Sequence, residues 1–349
     1  MVKNIRIEKK IIGDNQPTFI IAEAGVNHNG KLELAKNLVD IAVQAGADAV
    51  KFQTFKSEGV TTSTVDSADY VKKNLNENVK QLEILKKLEL SYSDFKKLRN
   101  YCDKKNIIFL STPHSYDAID FLEKLVPAYK FGSGDITNIP AIKYAAMKKK
   151  PIILGTGMSN ISEIKRAIKA IKSTGNNQII ALHCTTDYPT SLEDVNLKAM
   201  LTMKKELNCL IGYSDHTIGT TVAIAAVALG ANVIEKHFTI DKKMKGPDHR
   251  ASANPEELKE MISRIRETEK ILGNSIKKPT KSEKKNMNII RKSIVAKKDI
   301  RKGVKITRDM IIIKRPGTGL EPSKIEEILG KKTRKYIKKD EFFTKKMVE

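Results

Sequence analysis

Eight short apolar segments alternate with longer amphipathic stretches between residues 18 and 280, and this alternation limits the folds open to the chain. The apolar segments have the length and composition of buried strands. They are 18–23, 48–53, 107–111, 128–133, 151–156, 179–184, 209–213 and 232–237. The stretches between them repeat apolar residues with the helical period of about 3.6, and several end at glycine. Examples are 31–45, 115–125, 160–172, 217–229 and 254–272.

Eight strands that are each followed by a helix predict an α/β fold of the (β/α)8, or TIM-barrel, type. A doubly wound sheet would usually have fewer strands and a glycine-rich phosphate loop after the first one. Neither feature fits this chain. We therefore expect a barrel domain over residues 1–273.

The rest of the chain differs in composition from the barrel. Residues 274–290 are polar, rich in lysine and interrupted by a proline, which predicts a linker. Residues 291–349 contain only short apolar runs and a Gly- and Pro-rich stretch at 316–322. This second domain is too short for a large core of its own, so we expect it to pack on the barrel or on another subunit.

The net charge of +23 raises the question of nucleic-acid binding. Residues 281–349 hold 22 Lys and Arg against 9 Asp and Glu, a net +13. Aromatic residues make up only 5% of the chain and do not interleave with the basic ones as a stacking surface requires. We interpret the excess as a solvated lysine surface, with attraction of small anions as the alternative, and expect no nucleic-acid partner.

Cysteine usage and hydropathy bear on the compartment. Cys102, Cys184 and Cys209 are odd in number and show no CxxC spacing, which favours a reducing compartment over a disulfide framework or a zinc site. The N-terminal sequence MVKNIR lacks the apolar core of a signal peptide, and no apolar run approaches the length of a membrane span. These features predict a cytoplasmic protein without a membrane partner.

All six histidines lie at or just beyond the ends of predicted strands. In a barrel these ends meet at one rim, where active sites form. His216 and His237 end neighbouring strands, so we expect their imidazoles to hold a divalent metal with open positions for substrate. Oxygen-rich surroundings without thiolates favour Mn²⁺ or Mg²⁺. The other histidines predicted on this rim are His28, His114, His183 and His249.

Charged side chains share the inward-facing positions of the predicted strands. Residues alternate between barrel interior and helix layer, so Lys51 and Gln53 point inward on one strand. Glu235 and His237 do so on another. A buried ammonium is costly unless it is paired or meets an anion. Lys51 and Lys130 therefore predict a doubly or triply charged ligand.

The alternative for these lysines is pairing with Glu23 and Glu235.

An acidic residue, Asp248, lies in the loop after the last predicted strand. It is a candidate third metal ligand or a group that binds substrate hydroxyls.

Several motifs in fixed order resemble those of the sialic acid synthase family. They are 21–30 (IAEAGVNHNG), 50–56 (VKFQTFK), 111–113 (STP), 182–189 (LHCTTDYP), 212–217 (GYSDHT), 233–239 (VIEKHFT) and 246–252 (GPDHRAS). Residues 291–293 (RKS) and 314–317 (KRPG) resemble the family's C-terminal antifreeze-like (SAF, β-clip) domain. The resemblance covers about residues 18–349.

The resemblance implies a transferase that condenses phosphoenolpyruvate with an N-acetylmannosamine-type sugar, giving a nonulosonic acid and phosphate. It implies catalytic roles for Glu23, Lys51, Lys130, Glu235 and Asp248. It further implies that substrate contacts come from Gln53, Thr112, Ser133, Tyr188, Ser214 and Arg315. In the family, the arginine at the position of Arg315 comes from the partner subunit and recognises the acceptor's N-acyl group. A domain-swapped homodimer is therefore expected.

Three sites depart from the family pattern, and the identity of the acceptor sugar stays open. His114 stands where phenylalanine is common, the segment 131–135 (FGSGD) replaces the commoner IPSGE, with Gly132 in place of the proline, and Gly155 replaces a serine. The segment 185–188 (TTDY) looks more like legionaminic acid synthases, which use 2,4-diacetamido-2,4,6-trideoxymannose, than like some sialic acid enzymes. Two further alternatives are a synthase that uses a phosphorylated aldose and a basic binding protein without catalysis.

Overall fold

The computed structural model describes residues 4–68, 71, 72, 74 and 80–349. All eight predicted barrel strands are present, and a hairpin precedes them. The strands of this region are β1 Asn4–Ile7, β2 Lys10–Gly13, β3 Phe19–Gly25, β4 Ala49–Thr54, β5 Ile108–Pro113, β6 Tyr129–Phe131, β7 Ile152–Gly155, β8 Ile179–His183, β9 Leu210–Asp215 and β10 Val233–His237. Residues 1–3 lie outside the described residues. They are the first residues of the predicted barrel domain and of the N-terminal segment that was judged not to be a signal peptide.

Strands β3 to β10 form one parallel sheet in the order β5-β4-β3-β10-β9-β8-β7-β6. The two outer strands of this order, β5 and β6, contact each other, so the sheet is nearly closed into a barrel. The α-helices among the described residues of this region are Leu32–Ala45, Ser57–Val60, Gln81–Leu88, Tyr92–Lys105, Tyr116–Leu122, Ile139–Met147, Ile161–Ser173, Ala199–Glu206, Thr221–Ala228 and Pro255–Leu272. This architecture confirms the predicted barrel.

Alternate residues of the strands enter two separate apolar clusters. Val50 and Phe52 belong to the cluster between sheet and helices, together with Leu38 of the first helix. Ala49 and Leu110 belong to the cluster inside the barrel. The period-two alternation therefore assigns Lys51 and Gln53 to the interior, as predicted from sequence.

The hairpin β1–β2 was not predicted. It pairs antiparallel from Asn4↔Gly13 to Ile7↔Lys10. Its Ile5, Ile7 and Ile12 join the interior cluster of the barrel, beside Phe19 at the start of β3. The hairpin thus covers the end where the strands begin, which leaves the carboxyl ends of the strands for chemistry.

The chain divides into two compact units, Met1–Gly273 and Asn274–Glu349. The second contains the helix Lys281–Ile290 and the antiparallel strands β11 Ser293–Ala296 and β12 Ile311–Lys314. A small core of its own includes Ile294, Ile300 and Phe343.

The second half of the predicted linker over 274–290 is helical. A capping box between Thr280 and Glu283 starts a helix there, although the helix buries none of its side chains. Within the described part of the chain, no helix is both long and apolar enough to cross a membrane.

Candidate active site

The register of the sheet brings functional side chains of neighbouring strands to one level. His237 of β10 is paired with Glu23 of β3, and Glu23 with Lys51 of β4. Further along β4, Gln53 is paired with Thr112 of β5. These residues occupy inward positions near the carboxyl ends of their strands, so the barrel itself assembles them.

Two lysines and two glutamates form a buried ion network at this level. Lys51 Nζ lies 2.5 Å from Glu23 Oε2 and 3.7 Å from Glu235 Oε2, while Lys130 Nζ lies 3.2 Å from Glu235 Oε1. All four side chains are at most 5% exposed. The pairing that the sequence left as an alternative is therefore present. Each ammonium group therefore already has a carboxyl group beside it before any ligand binds.

Hydroxyl groups complete the network. Lys51 Nζ donates to Thr112 Oγ1 at 3.2 Å, and Ser214 Oγ donates to Glu235 Oε1 at 2.8 Å. Both hydroxyls were predicted to bind substrate; Thr112 lies beside Lys51, and Ser214 lies beside Glu235. An anion that entered here would meet the two ammonium groups and the hydroxyl hydrogen of Thr112, a combination suited to phosphate and carboxylate.

The two glutamates differ in acidity. Burial raises the pKa of Glu23 to about 7, against the opposing effect of Lys51. Burial also acts on Glu235, but Lys130 and Lys51 outweigh it and lower the pKa of that carboxyl to about 2. Pairs of carboxyls held at different acidities are typical of sites where one moves a proton and the other stays charged.

His216 and His237 lie side by side, with ring centroids 5.6 Å apart. Burial lowers the pKa of both imidazoles, so both are neutral and can donate a lone pair to a metal. His216 Nδ1 lies 2.6 Å from the carbonyl oxygen of Thr185. Because a carbonyl only accepts, Nδ1 carries the hydrogen and Nε2 keeps its lone pair for a metal ion.

Two observations beside the histidines are compatible with a bound ion. His237 Nδ1 and Glu23 Oε1 are buried and have no hydrogen-bond partner among the described residues. Gly25 has φ +53°, and a Cβ there would lie 3.2 Å from Glu23 Oε1 and 3.3 Å from His237 Cε1. No three His, Cys, Asp or Glu side chains within the described ranges form a metal-ligand group. Asp248 therefore does not complete a protein-only metal site, and a metal on the two histidines would take its other ligands from substrate or solvent.

A cavity of about 220 Å³ adjoins the histidines. Gln53, Tyr188 and Asp248, all predicted to face or border the sugar, line it together with His237 and His114. The Tyr188 ring lies 4.1 Å from that of His216, centroid to centroid. Burial raises the pKa of Asp248 to about 6. The predicted acceptor residues of the barrel are therefore brought together in one cavity.

Ser133 has two neighbours that the sequence analysis missed. Its Oγ accepts from the Gly157 N–H at 3.1 Å and lies 3.2 Å from Cys184 Sγ. A Cβ at Gly155 would lie 3.2 Å from Ser133 Oγ, so the glycine at this position makes room for the close approach. A backbone donor carries no side-chain signal, which is why sequence patterns could not reveal Gly157.

Three of the six rim histidines serve the structure of loops. His249 Nδ1 lies 2.6 Å from Thr239 Oγ1, and His183 Nε2 lies 2.9 Å from the carbonyl oxygen of Val195. His28 is buried, and its Nδ1 accepts from the Gly30 N–H at 3.1 Å. The rim position alone therefore did not identify site residues. Arg315 lies in the second unit, exposed directly after β12, and its role stays a prediction.

Comparison with known proteins shows which family this chain resembles. The sequence profile of the NeuB family matches residues 38–277, and that of the SAF domain matches residues 291–349. This chain belongs to the NeuB family. The assignment confirms the resemblance drawn from the motifs and the expectation of a C-terminal SAF domain.

Two NeuB-type relatives are N,N'-diacetyllegionaminic acid synthases. The protein from Campylobacter jejuni is 48% identical over 93% of this chain and 98% of its own length. That from Legionella pneumophila is 47% identical over 91% of each chain. Among solved structures, the N-acetylneuraminic acid synthetase of Leptospira borgpetersenii is 36% identical, with a TM-score of 0.72 over 81% of this chain and 94% of the other.

Proposed function

We propose that this NeuB-family protein is a nonulosonic acid synthase, which condenses phosphoenolpyruvate with an N-acylated aminohexose and releases phosphate. The observation that carries the proposal is the buried network of Glu23, Lys51, Lys130 and Glu235 beside two neutral histidines. The names of the relatives agree with it, since they are synthases of such acids.

The lysines would receive the anionic substrate. Phosphoenolpyruvate carries a phosphate and a carboxylate, and Lys51 and Lys130 with the hydroxyls of Thr112, Ser133 and Ser214 could bind both groups. Each lysine is already held by a glutamate, so the site is pre-organised before the ligand arrives. The bound anion would then contact ammonium groups that are also paired with the glutamates, and not unpaired lysines.

Glu23 and Glu235 would divide the work of handling protons and balancing charge. Carbon 3 of phosphoenolpyruvate attacks the acceptor aldehyde, positive charge develops at carbon 2, and water adds there before phosphate leaves. With a pKa of about 7, Glu23 can accept a proton from that water at neutral pH and release it later. Glu235 stays ionised and stabilises the developing cation together with the network.

His216 and His237 would hold the divalent metal, for which we propose Mn²⁺ or Mg²⁺. When bound, such an ion polarises the aldehyde as a Lewis acid. Gln53, Tyr188 and Asp248 would orient the sugar in the adjoining cavity. We further propose that Arg315 reaches the acceptor from the partner subunit of a domain-swapped homodimer, and that the protein acts in the cytoplasm.

The test is phosphate release from phosphoenolpyruvate, with Mn²⁺ and a panel of N-acylated hexoses and phosphorylated aldoses. We expect turnover with an N-acylated hexose, and none in its absence. The proposal fails if no sugar of that class supports phosphate release. Release only with a phosphorylated aldose would support the other synthase class. Tight, salt-sensitive polynucleotide binding without any turnover would support a binding protein.

His237→Ala tests the metal assignment. We expect it to abolish turnover and to weaken Mn²⁺ binding, followed by the signal of free Mn²⁺ in electron paramagnetic resonance. Circular dichroism should show an unchanged fold, because the side chain lies at the end of β10 and outside both apolar clusters of the barrel. Retained turnover would refute the assignment.

A further inference from the structure

One wall of the acceptor cavity is apolar and separate from the barrel core. Val26, Phe55 and Leu88 form a small buried cluster, and Val60, Ile84 and Leu85 pack against it. All six line the cavity. They come from the loop after β3, from the segment after β4 and from the helix Gln81–Leu88. Three elements thus build this wall, which is a prepared surface for an apolar group of the ligand.

The cavity also lacks positive side chains along its described lining. Among the described residues that line it there is no Lys or Arg, and Asp248 adds a carboxyl group. Along this described lining, a phosphate on the acceptor would lie near Asp248 with no ammonium or guanidinium group to pair with it. The cavity therefore favours an uncharged acceptor that presents apolar substituents to the wall.

His114 introduces a polar group beside this apolar wall. Its ring packs edge-on against Phe55, with centroids 6.0 Å apart, and its backbone N–H donates to the Thr54 carbonyl at 3.2 Å. The side-chain Nε2 is buried and has no hydrogen-bond partner among the described residues. Burial lowers the pKa of His114 to about 4, so the ring is neutral, with one N–H donor and one acceptor.

A buried polar nitrogen that has no partner among the described residues calls for a partner that arrives with the ligand. A secondary amide suits it, because an acylamino group offers both an N–H and a carbonyl oxygen. Either tautomer of the imidazole finds a partner in such a group. The methyl of the acyl group and any methyl of the sugar can then contact the apolar wall.

We propose that His114 is a specificity-determining residue, which hydrogen-bonds a second acylamino group of the acceptor while the apolar wall receives a methyl in place of a hydroxymethyl group. This inference rests on the proposed function and narrows its acceptor to a diacylamino 6-deoxyhexose. N-acetylmannosamine has hydroxyls at both positions and serves less well.

The experiment compares both acceptors with the wild-type enzyme and with His114→Phe. We expect the Michaelis constant for the diacylamino sugar to rise about tenfold or more, a change of about 1.4 kcal/mol, while that for phosphoenolpyruvate stays constant. The preference over N-acetylmannosamine should shrink. The melting temperature should hold or rise, because the substitution removes a buried, unpaired nitrogen.

Two further variants test the apolar wall separately from His114 and provide a control outside the cavity. Val60→Thr keeps the shape of the wall but adds a hydroxyl, so it should reduce the preference for the 6-deoxy sugar. Tyr116→Phe is the matched control, since Tyr116 is 48% exposed, two residues beyond His114 and absent from the cavity lining. It should change neither Michaelis constant.

The outcomes are distinguishable. If the wild-type enzyme uses no sugar, the proposed function and this inference both fall. If the wild type is active but His114→Phe keeps its acceptor preference, the function stands and the inference is overturned. A variant that melts earlier and loses affinity for both substrates would mark His114 as structural, which also overturns it.

Discussion

At the scale of single residues, the site depends on how its groups ionise. Glu23 and Glu235 have the same carboxyl chemistry and lie on adjacent strands, yet their pKa values move in opposite directions. The difference arises because Glu235 has two ammonium groups within 4 Å, whereas Glu23 has one. The sequence was enough to predict that both glutamates belong to the site, but it did not predict that their pKa values differ.

Glu23→Gln tests the assignment of the proton carrier. The amide keeps the size of the side chain but cannot exchange a proton, so we expect kcat to fall by about 10²–10⁴. Phosphate release under single-turnover conditions measures it. Glu33→Gln is the control, because that side chain is 79% exposed on the first helix. A Glu23→Gln enzyme that retained full kcat would exclude Glu23 from proton transfer.

Asp248 predicts a pH-dependent stability. Its pKa is raised to about 6 in the folded protein, from an ordinary value of 3.8, so the fold holds this proton more tightly than the unfolded chain does. Ionisation therefore destabilises the fold as pH rises through about 6.

Asp248→Asn removes that penalty. It should stabilise the protein by about 1–3 kcal/mol at pH 7.5, with a gain that shrinks towards pH 4. Melting temperatures across this pH range measure it. A gain that did not vary with pH would contradict the assignment, since it could not come from ionisation. Acceptor affinity should fall in the same variant.

At the scale of elements, a buried ion pair on the helix side of the sheet links the carboxyl ends of β9 and β10. Lys236 occupies the position between the inward-facing Glu235 and His237, so it points to the helix layer. There its Nζ lies 2.7 Å from Asp215 Oδ2 and donates to the Thr217 carbonyl at 2.5 Å. Both charged side chains are at most 2% exposed. This pair fixes the segment that carries His216 next to the strand that carries His237.

Lys236→Met should therefore destabilise the barrel by about 3–5 kcal/mol, because it leaves the Asp215 carboxylate buried and unpaired. Adding Asp215→Asn should recover part of the loss, since no buried charge then remains. Urea unfolding followed by circular dichroism measures both. Lys204→Met is the control. Its ion pair with Asp14 is about half exposed, and its loss should cost less than about 1 kcal/mol.

At the scale of the whole molecule, the second unit has its own small core and carries Arg315. A mixed dimer tests whether this arginine acts on the partner's barrel. One protomer would carry His237→Ala and the other Arg315→Ala, with different tags for purification. If Arg315 acts across the dimer, one of the two sites combines an intact His237 with an intact Arg315.

We expect that mixed dimer to show about half of the wild-type activity at low acceptor concentration, well above either variant homodimer. An arginine that acted on its own barrel would leave both sites defective. The mixed dimer would then be no more active than the mean of the two homodimers. Sedimentation would establish that the sample is dimeric in each case.

The order of strands, the inward phase of Lys51 and Glu235, and the placement of His216 and His237 on one rim were determined by the sequence alone. The reason is that strand periodicity and the common direction of parallel strands are local properties, which a single sequence displays. The helix over Lys281–Ile290 was not predicted, because the lysine-rich composition of this segment indicated a linker and its capping box was not recognised. The hairpin β1–β2 was missed because its short strands gave a weak pattern.

Only the tertiary structure decided which charges meet. The pairing of Lys236 with Asp215, the raised pKa of Glu23, and the buried nitrogen of His114 beside an apolar wall all depend on distances between residues far apart in the chain. Acidity and hydrogen-bonding depend on burial and on neighbouring charges, which the folded barrel fixes and local sequence does not encode.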